Sequence, residues 1–173
     1  HFDVKSQEDG LVVNLSGQAP DPICSVVVLT IVGAPKVVVY RTAQQPDGQL
    51  VLPASDAELH GGLQIESKDG QSNIGYWIKS DDWVEWSVRI QQPAEFTVVA
   101  DVATSGESHL VLQIGDCELK ANIPNTGDYA KFQTVELGRV QIDKAGPSSV
   151  VVRPDKQAWS PVNIRSITLQ PVR

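Results

Sequence analysis

Short runs of apolar and β-branched residues, separated by turn-forming residues, fill most of the chain. In WVEWSVRI, Trp83–Ile90, every second position is apolar, and Glu85 and Arg89 lie between apolar neighbours. A period of two predicts a strand with one buried face. Nine further runs have a similar character: LVVNL, SVVVLTIV, KVVVY, FTVVADVA, HLVLQI, FQTVEL, VQI, SSVVVR and NIRSITL. The sequence therefore predicts ten strands and no long helix.

The segments between these runs set the predicted fold class. Each of SGQAPDP, QQPDGQ, SKDGQSN, QQPA, TSGES, IPNTGD and KAGP carries glycine or proline, which favour turns. Strands and turns at this spacing predict an all-β fold. We expect an antiparallel, jelly-roll-like β-sandwich of two sheets, preceded by a few extra strands.

A polar break at RTAQQPDGQ divides the chain into predicted domains. The strands before the break are too few to bury a core of their own. Residues 1–40 are therefore predicted to be the terminal strands of a preceding β-domain, or strands docked on the main one. Residues 41–49 are predicted to be a linker, and residues 50–173 the β-sandwich module.

Strand alternation sorts the crowded aromatic residues. It places Trp86 on the buried face of its strand and Trp83 on the other face. Tyr76 and Trp77 precede that strand, and Trp159 lies in the loop before the last strand. Loop aromatics at the end of a sandwich are favoured for binding, because loops carry function on a rigid scaffold. The alternative is that they only plug the open end.

Composition excludes several classes of partner. The chain is 41% hydrophobic and 20% charged, as in ordinary globular proteins, and its net charge is −7. A negative protein is a poor ligand for nucleic acid or an anionic membrane surface. No apolar run approaches the roughly 20 residues that span a bilayer. We expect no nucleic acid and no membrane as partner.

The cysteine content is low. Cys24 and Cys117 are the only two, too few for a disulfide framework and too far apart for a zinc site. We expect two buried free thiols. A single long-range disulfide is the alternative if the protein is exported.

Five segments together resemble carbohydrate-binding modules of families 6 and 35. NIGYWIKSDDWVEWSVRI resembles their N-x-G-Y…D-W-V…Y/W-x-V stretch, and LPASDAELHGG their opening A-E, here Ala57 and Glu58. IPNTGDYAKFQTVEL resembles P-x-T-G-x-W-x-x-W-x-T-V. VQIDKAG is similar to V-x-L-x-x-G, and PVNIRSITL to the closing strand. The resemblance covers residues 50–173, in the family's order.

A second resemblance lies in the first part of the chain. DGLVVNLSGQAPDPICSVVVLTI resembles the last hairpin of the C-terminal β-domain of family 29 α-L-fucosidases. It implies that the chain is the C-terminal part of a fucosidase-like glycoside hydrolase. The catalytic domain of the same polypeptide would then be a partner.

The first resemblance implies a sugar site in the loops at one end of the sandwich. In those modules the apolar face of a sugar ring lies against aromatic rings, and polar groups at the rim read its hydroxyls. By motif position Tyr76 is the stacking aromatic, Asn163 reads hydroxyls, and Tyr129 stands where the family has tryptophan. Trp77 and Trp159 are further sugar-binding candidates, from their places in the loops.

The same families often hold calcium between the glutamate of A-E and an aspartate of the last strand. Here Arg165 stands at the aspartate position, and arginine offers no oxygen ligand. We therefore expect no cofactor. Calcium is the one candidate, and we expect it to be lost. We predict that Arg165 reaches Glu58 and replaces the ion; the alternative is that both are solvated surface charges.

No catalytic motif accompanies these residues. Asp81 and Glu85 would lie about 13 Å apart on an extended strand, beyond the roughly 5–9.5 Å that glycosidases use. His1, His60 and His109 have no ligand-spaced neighbours. The predicted function is a non-catalytic carbohydrate-binding module that binds a glycan outside the cell or in the periplasm. A structural accessory β-sandwich domain without a glycan ligand is the first alternative, and a hydrolase with distant converging carboxylates is the second.

Overall fold

A computed structural model describes residues 3–7, 10–15, 21, 24–28, 30, 32–33 and 41–172. The chain divides into two units, residues 1–38 and residues 39–173. Among the described residues, no helix has the length and apolar character needed to cross a bilayer.

In the first unit, β1 (Asp3–Gln7) and β2 (Gly10–Asn14) form an antiparallel hairpin. Residues 24–28 carry no strand, so the prediction of a strand over SVVVLTIV fails for that part. The predicted KVVVY strand lies outside the described residues.

The second unit is a sandwich of short and medium strands. Within residues 41–172 the elements are β3 (Thr42–Ala43), β4 (Leu50–Pro53), a 3₁₀ turn (Ala54–Asp56), β5 (Glu58–His60), β6 (Gln64–Lys68), β7 (Gln71–Gly75), β8 (Trp83–Ile90), β9 (Ala94–Ala103), β10 (Ser108–Ile114), β11 (Cys117–Ile123), β12 (Gln133–Ile142), β13 (Gly146–Pro154) and β14 (Asn163–Pro171).

These strands form two sheets. One has the order β11-β10-β13-β8-β3, and β5 also pairs with β8. The other has the order β12-β9-β14-β7-β6, and β4 also pairs with β14. The pairs are antiparallel except that of β3 with β8, which is parallel. The predicted all-β, two-sheet sandwich is confirmed.

The core lies between the sheets, as the period-two pattern predicts. On β8, Val84, Trp86 and Val88 are fully buried, whereas Trp83 and Glu85 are partly exposed. The Trp86 indole N–H donates to the backbone oxygen of Pro53 at 2.8 Å. The largest fully buried side chains are Trp77, Trp86, Phe96, Leu50, Leu52, Ile74, Leu110, Leu112, Ile123, Ile164, Ile167 and Leu169.

One bulge joins two runs that the sequence pattern separates. FQTVEL and VQI belong to the single strand β12, whose register with β9 shifts between Glu136 and Gly138. Gly138 has φ +137°, and a Cβ there would lie 2.8 Å from Leu119 Cδ1. Glycine therefore lets the strand continue through the bulge.

Part of the predicted linker is fixed to the sandwich. Thr42–Ala43 pairs with β8, and the buried Gln44 oxygen accepts from the backbone N–H groups of Gln91 and Gln92 at 2.6 and 2.7 Å. Gln44 Nε2 donates to the Gly48 carbonyl at 2.9 Å. The domain boundaries themselves stay a prediction.

The two cysteines are unpaired. Cys24 is exposed and Cys117 is partly exposed. The expectation of two buried thiols is therefore wrong, because neither side chain is enclosed by the core.

Candidate functional site

A shallow groove of about 290 Å³ lies where β7 ends and β14 begins. The two strands pair at Ile74 and Ile164, so the residues just beyond them lie at one end of the sandwich. The groove is lined by Glu66, Tyr76, Trp77, Ile78, Tyr129, Pro161 and Asn163. The structure thus brings together Tyr76, Tyr129 and Asn163, three of the predicted sugar-binding residues.

Tyr76 projects from an uncommon backbone conformation. Its φ is +54°, in the left-handed region that bulky residues rarely adopt, and its residue exposure is 56%. The next residue, Trp77, is only 1% exposed, and its indole N–H donates to the backbone oxygen of Asp82 at 3.2 Å. The turn therefore buries one aromatic side chain and exposes the other. Such outliers are concentrated at functional sites.

Trp77, predicted as a sugar-binding residue from its place in a loop, is buried. Its side chain lines the groove and belongs to the core. A buried ring offers no free face to a ligand. Sugar binding by Trp77 has no support from this placement.

Asn163 ties two walls of the groove together. Its Nδ2 donates to the backbone oxygen of Tyr129 at 3.1 Å, which joins the start of β14 to the loop between β11 and β12. Within the described part of the chain its Oδ1 accepts no hydrogen bond. Tyr129 is 39% exposed on the same loop. The side chain of Asn163 is thus held in place with one acceptor left over.

Two buried threonines fix the loop that carries Tyr129. Thr104 and Thr126 are 0% and 6% exposed. The Thr126 hydroxyl accepts from the Thr104 backbone N–H and lies within hydrogen-bonding distance of the Thr104 carbonyl, both at 2.9 Å. Thr104 Oγ1 lies 2.9 Å from the carbonyl of Pro161. The pair joins both loops that border the groove.

Glu66 was not predicted as a site residue. It faces Asn73 across the β6–β7 hairpin, and Asn73 Nδ2 donates to its Oε2 at 3.0 Å. Asp69 and Gly70 close that hairpin with φ +53° and +77°, as a tight primed turn requires. The D-G pair in SKDGQSN is the sequence signal that sets this register.

Trp159 is not brought into the groove. It lies between β13 and β14, partly buried against the core. Its Nε1 is buried and has no hydrogen-bond partner among the residues that the structure describes. Sugar binding by Trp159 has no support from this placement.

The predicted pair of Glu58 and Arg165 is wrong. Glu58 lies on β5, which pairs with β8, whereas Arg165 lies on β14 of the other sheet. Arg165 instead stacks on the Phe132 ring, its Cζ 3.6 Å from the centroid, and its Nη1 lies 3.7 Å from Asp101 Oδ2. The two strands put the charges on different faces of the sandwich.

Arg165→Met is therefore expected to lower the free energy of unfolding modestly, by about 0.5–1 kcal/mol. The apolar stem is kept, and the cation–π and ion-pair contacts are lost. Urea unfolding checks this against Glu58→Gln, which should change stability by less. A larger loss with Glu58→Gln would contradict the assignment of partners.

Asp81, one of the two carboxylates considered as a catalytic pair, is engaged by a lysine. Asp81 is exposed and hydrogen-bonds to Lys156, whose ammonium holds the pKa of that carboxyl below its usual range. A carboxylate stabilised in this way is a poor general acid. No group of three or more His, Cys, Asp or Glu with metal-binding geometry occurs among the described residues.

The chain resembles solved structures in fold, but no family model or curated protein matches it in sequence. The C-terminal CBM6 of the laminarinase LamC from Zobellia galactanivorans superposes with a TM-score of 0.61 at 20% identity, covering 70% of this chain and 98% of that module. CsCBM6-3 from Clostridium stercorarium, in complex with cellobiose, gives 0.59 at 21%, covering 78% and 100%.

The chain has the fold of carbohydrate-binding modules. It also matches the Podospora anserina GH26-CBM35 β-(1,4)-mannanase with a TM-score of 0.59 at 19% identity, covering 73% of this chain and 28% of the mannanase. The chain therefore spans about a quarter of that enzyme. At these identities the similarity establishes architecture, and the function has to be argued from the groove.

Proposed function

We propose that residues 41–172 form a non-catalytic carbohydrate-binding module that stacks a sugar ring in the groove beside Tyr76. The observation that carries the proposal is the outward Tyr76 ring, held on a left-handed backbone at the rim of the groove. The apolar C–H face of a pyranose is attracted to such a ring, and burial of both surfaces is favourable. Tyr129 supplies a second aromatic surface in the same groove.

Polar groups beside the rings have the right chemistry for hydroxyls. Asn163 Oδ1 can accept from a sugar hydroxyl, because its Nδ2 is already engaged by Tyr129. Small-ligand sites combine apolar walls with a few fixed polar atoms, as this groove does. The structure of CsCBM6-3, one of the modules that share the fold, is that of a complex with cellobiose.

We also propose that the module belongs to a glycoside hydrolase polypeptide that resembles α-L-fucosidases. A catalytic domain on the same chain would gain effective concentration at its glycan from the module. The mannanase match supports this arrangement, since its name joins a GH26 and a CBM35 part. The protein would be located outside the cell or in the periplasm. The module would not need calcium at its last strand, because Arg165 offers no oxygen ligand there.

The test is a glycan array with the full chain and its Tyr76→Ala and Tyr76→Phe variants. Removal of the ring should weaken binding by about ten- to a hundredfold, since ring burial contributes roughly 1.5–3 kcal/mol and each 1.4 kcal/mol is a factor of ten. Tyr76→Phe keeps the ring and should retain most of the affinity. The melting temperature should not fall in either variant, because the side chain is exposed.

Two outcomes would contradict the proposal. If the wild type binds no glycan on a broad array, the better hypothesis is that the module is a structural accessory domain. If Tyr76→Ala binds a glycan as well as the wild type does, the site lies elsewhere on the molecule.

A further inference from the structure

Glu66 is the one charged side chain among the described residues that line the groove. Its neighbours there are two tyrosines, a buried tryptophan, Ile78, Pro161 and Asn163. No lysine or arginine among the residues described by the structure lines the groove to neutralise this carboxylate. The whole chain carries a net charge of −7, which adds to the negative potential.

The Glu66 carboxylate is oriented before any ligand arrives. Asn73 Nδ2 donates to its Oε2 at 3.0 Å across the hairpin. The side chain lies directly over Gly75, where a Cβ would overlap the carboxylate. One face of the carboxylate is thus fixed, and Oε1 accepts no hydrogen bond from any described residue.

The free polar atoms of the groove are therefore mainly acceptors. Glu66 Oε1 and Asn163 Oδ1 both lack a donor within the described chain, and the tyrosine hydroxyls can serve either way. Hydroxyls satisfy such atoms, but a protonated amine satisfies a carboxylate better, because hydrogen bonds between charged partners are roughly twice as strong. A carboxylate or sulfate on the sugar would be repelled.

We propose that Glu66 makes the groove selective for glycans that carry protonated amino groups, of which glucosamine oligosaccharides are the simplest. The inference rests on the proposed function of the same groove. In this arrangement Tyr76 and Tyr129 contact the sugar ring, and the Glu66 carboxylate favours a sugar that carries a positive charge.

The experiment compares three hexasaccharides by calorimetry in mildly acidic buffer: a glucosamine, an N-acetylglucosamine and a glucose hexamer. The full chain is used, with Glu66→Gln and, as a matched control, Glu136→Gln. Glu136 is exposed on β12, outside the groove, and its loss changes the net charge equally. Glu66→Gln keeps the length of the side chain and an oxygen for Asn73.

The wild type should prefer the glucosamine hexamer to the N-acetylated one by about tenfold, the factor that 1.4 kcal/mol represents. Glu66→Gln should reduce that preference to less than twofold, and Glu136→Gln should keep it. If the glutamine variant does not fold, Tyr76→Ala replaces it, because this change leaves the net charge of −7 unaltered. A preference that survives in Tyr76→Ala would then show attraction by net charge outside the groove and would overturn the role of Glu66.

Equal wild-type affinity for all three hexamers would overturn the role of Glu66 and leave the proposed sugar groove standing. Equal losses in Glu66→Gln and Glu136→Gln would also overturn it, since they would show attraction by net charge alone. Binding of none of these hexamers, nor of any glycan on the array, would instead overturn the proposed function.

Discussion

Trp86→Ala is expected to lower the free energy of unfolding by about 3–5 kcal/mol. The side chain is 0% exposed, at the centre of the inner face of β8. Its removal leaves a cavity between the sheets and deprives the Pro53 carbonyl of the indole N–H that reaches it at 2.8 Å. Both losses act on the folded state, and the close-packed interior relaxes only partly around the void.

Urea unfolding of the wild type, Trp86→Ala and Trp83→Ala measures this effect. Trp83 lies on the outer face of the same strand, where it stacks on His60 with 3.6 Å between ring centroids. Arg153 covers Trp83 at 4.8 Å. Trp83→Ala should therefore cost clearly less, because no enclosed cavity forms. Equal losses in the two variants would contradict the assignment of strand faces.

The strong β-strands could be predicted from sequence, and the weak ones could not. The strict alternation of β8 assigns its faces directly, and the structure agrees at Trp83 and Trp86. By contrast β6 (Gln64–Lys68) contains one apolar residue, Ile65, which is itself 39% exposed. A strand of that kind is held by pairing with its neighbours and has no periodic signature of its own.

The candidate site divides in the same way. Tyr76 and Asn163 follow from motif positions, and the groove contains both. Trp77 was expected to be accessible like Tyr76, but the turn at Tyr76, with its φ of +54°, exposes only the tyrosine and leaves Trp77 buried. The sequence GYW contains no signal that predicts a positive φ at the tyrosine. Glu66 was missed because its place depends on the register of a hairpin.

The Glu58–Arg165 pair failed for a further reason. Residues close to the start and end of a module need not share a sheet. Glu58 follows the 3₁₀ turn and crosses to β8, while the preceding strand, β4, pairs with β14. Charge complementarity in a sequence suggests a pair, but only the topology decides which opposite charges are neighbours.

Thr126→Val is expected to damage both stability and glycan binding. Thr126 does not line the groove, but its hydroxyl fixes the loop that carries Tyr129. The variant keeps the shape of the side chain but leaves the Thr104 N–H without its 2.9 Å acceptor. An orphaned buried group costs about 1–3 kcal/mol. With the lost bond to the Thr104 carbonyl, we expect a total loss of about 2–3 kcal/mol.

Affinity should fall about tenfold as well, equivalent to roughly 1.4 kcal/mol. The loop freed by the change carries Tyr129, whose backbone oxygen holds Asn163 at 3.1 Å. Binding would then have to order that loop, which carries an entropic cost. Thr126→Ser restores the hydroxyl and should recover both properties.

Calorimetric titration well below the melting transition separates the two effects, with Val152→Ala as a control that weakens the core away from the groove. Val152 is 0% exposed on β13. If Val152→Ala lowers stability without changing affinity and Thr126→Val lowers both, the threonine positions the site. If Thr126→Val loses only stability, the groove does not depend on the position of the Tyr129 loop, and recognition must rest on Tyr76 and its own turn.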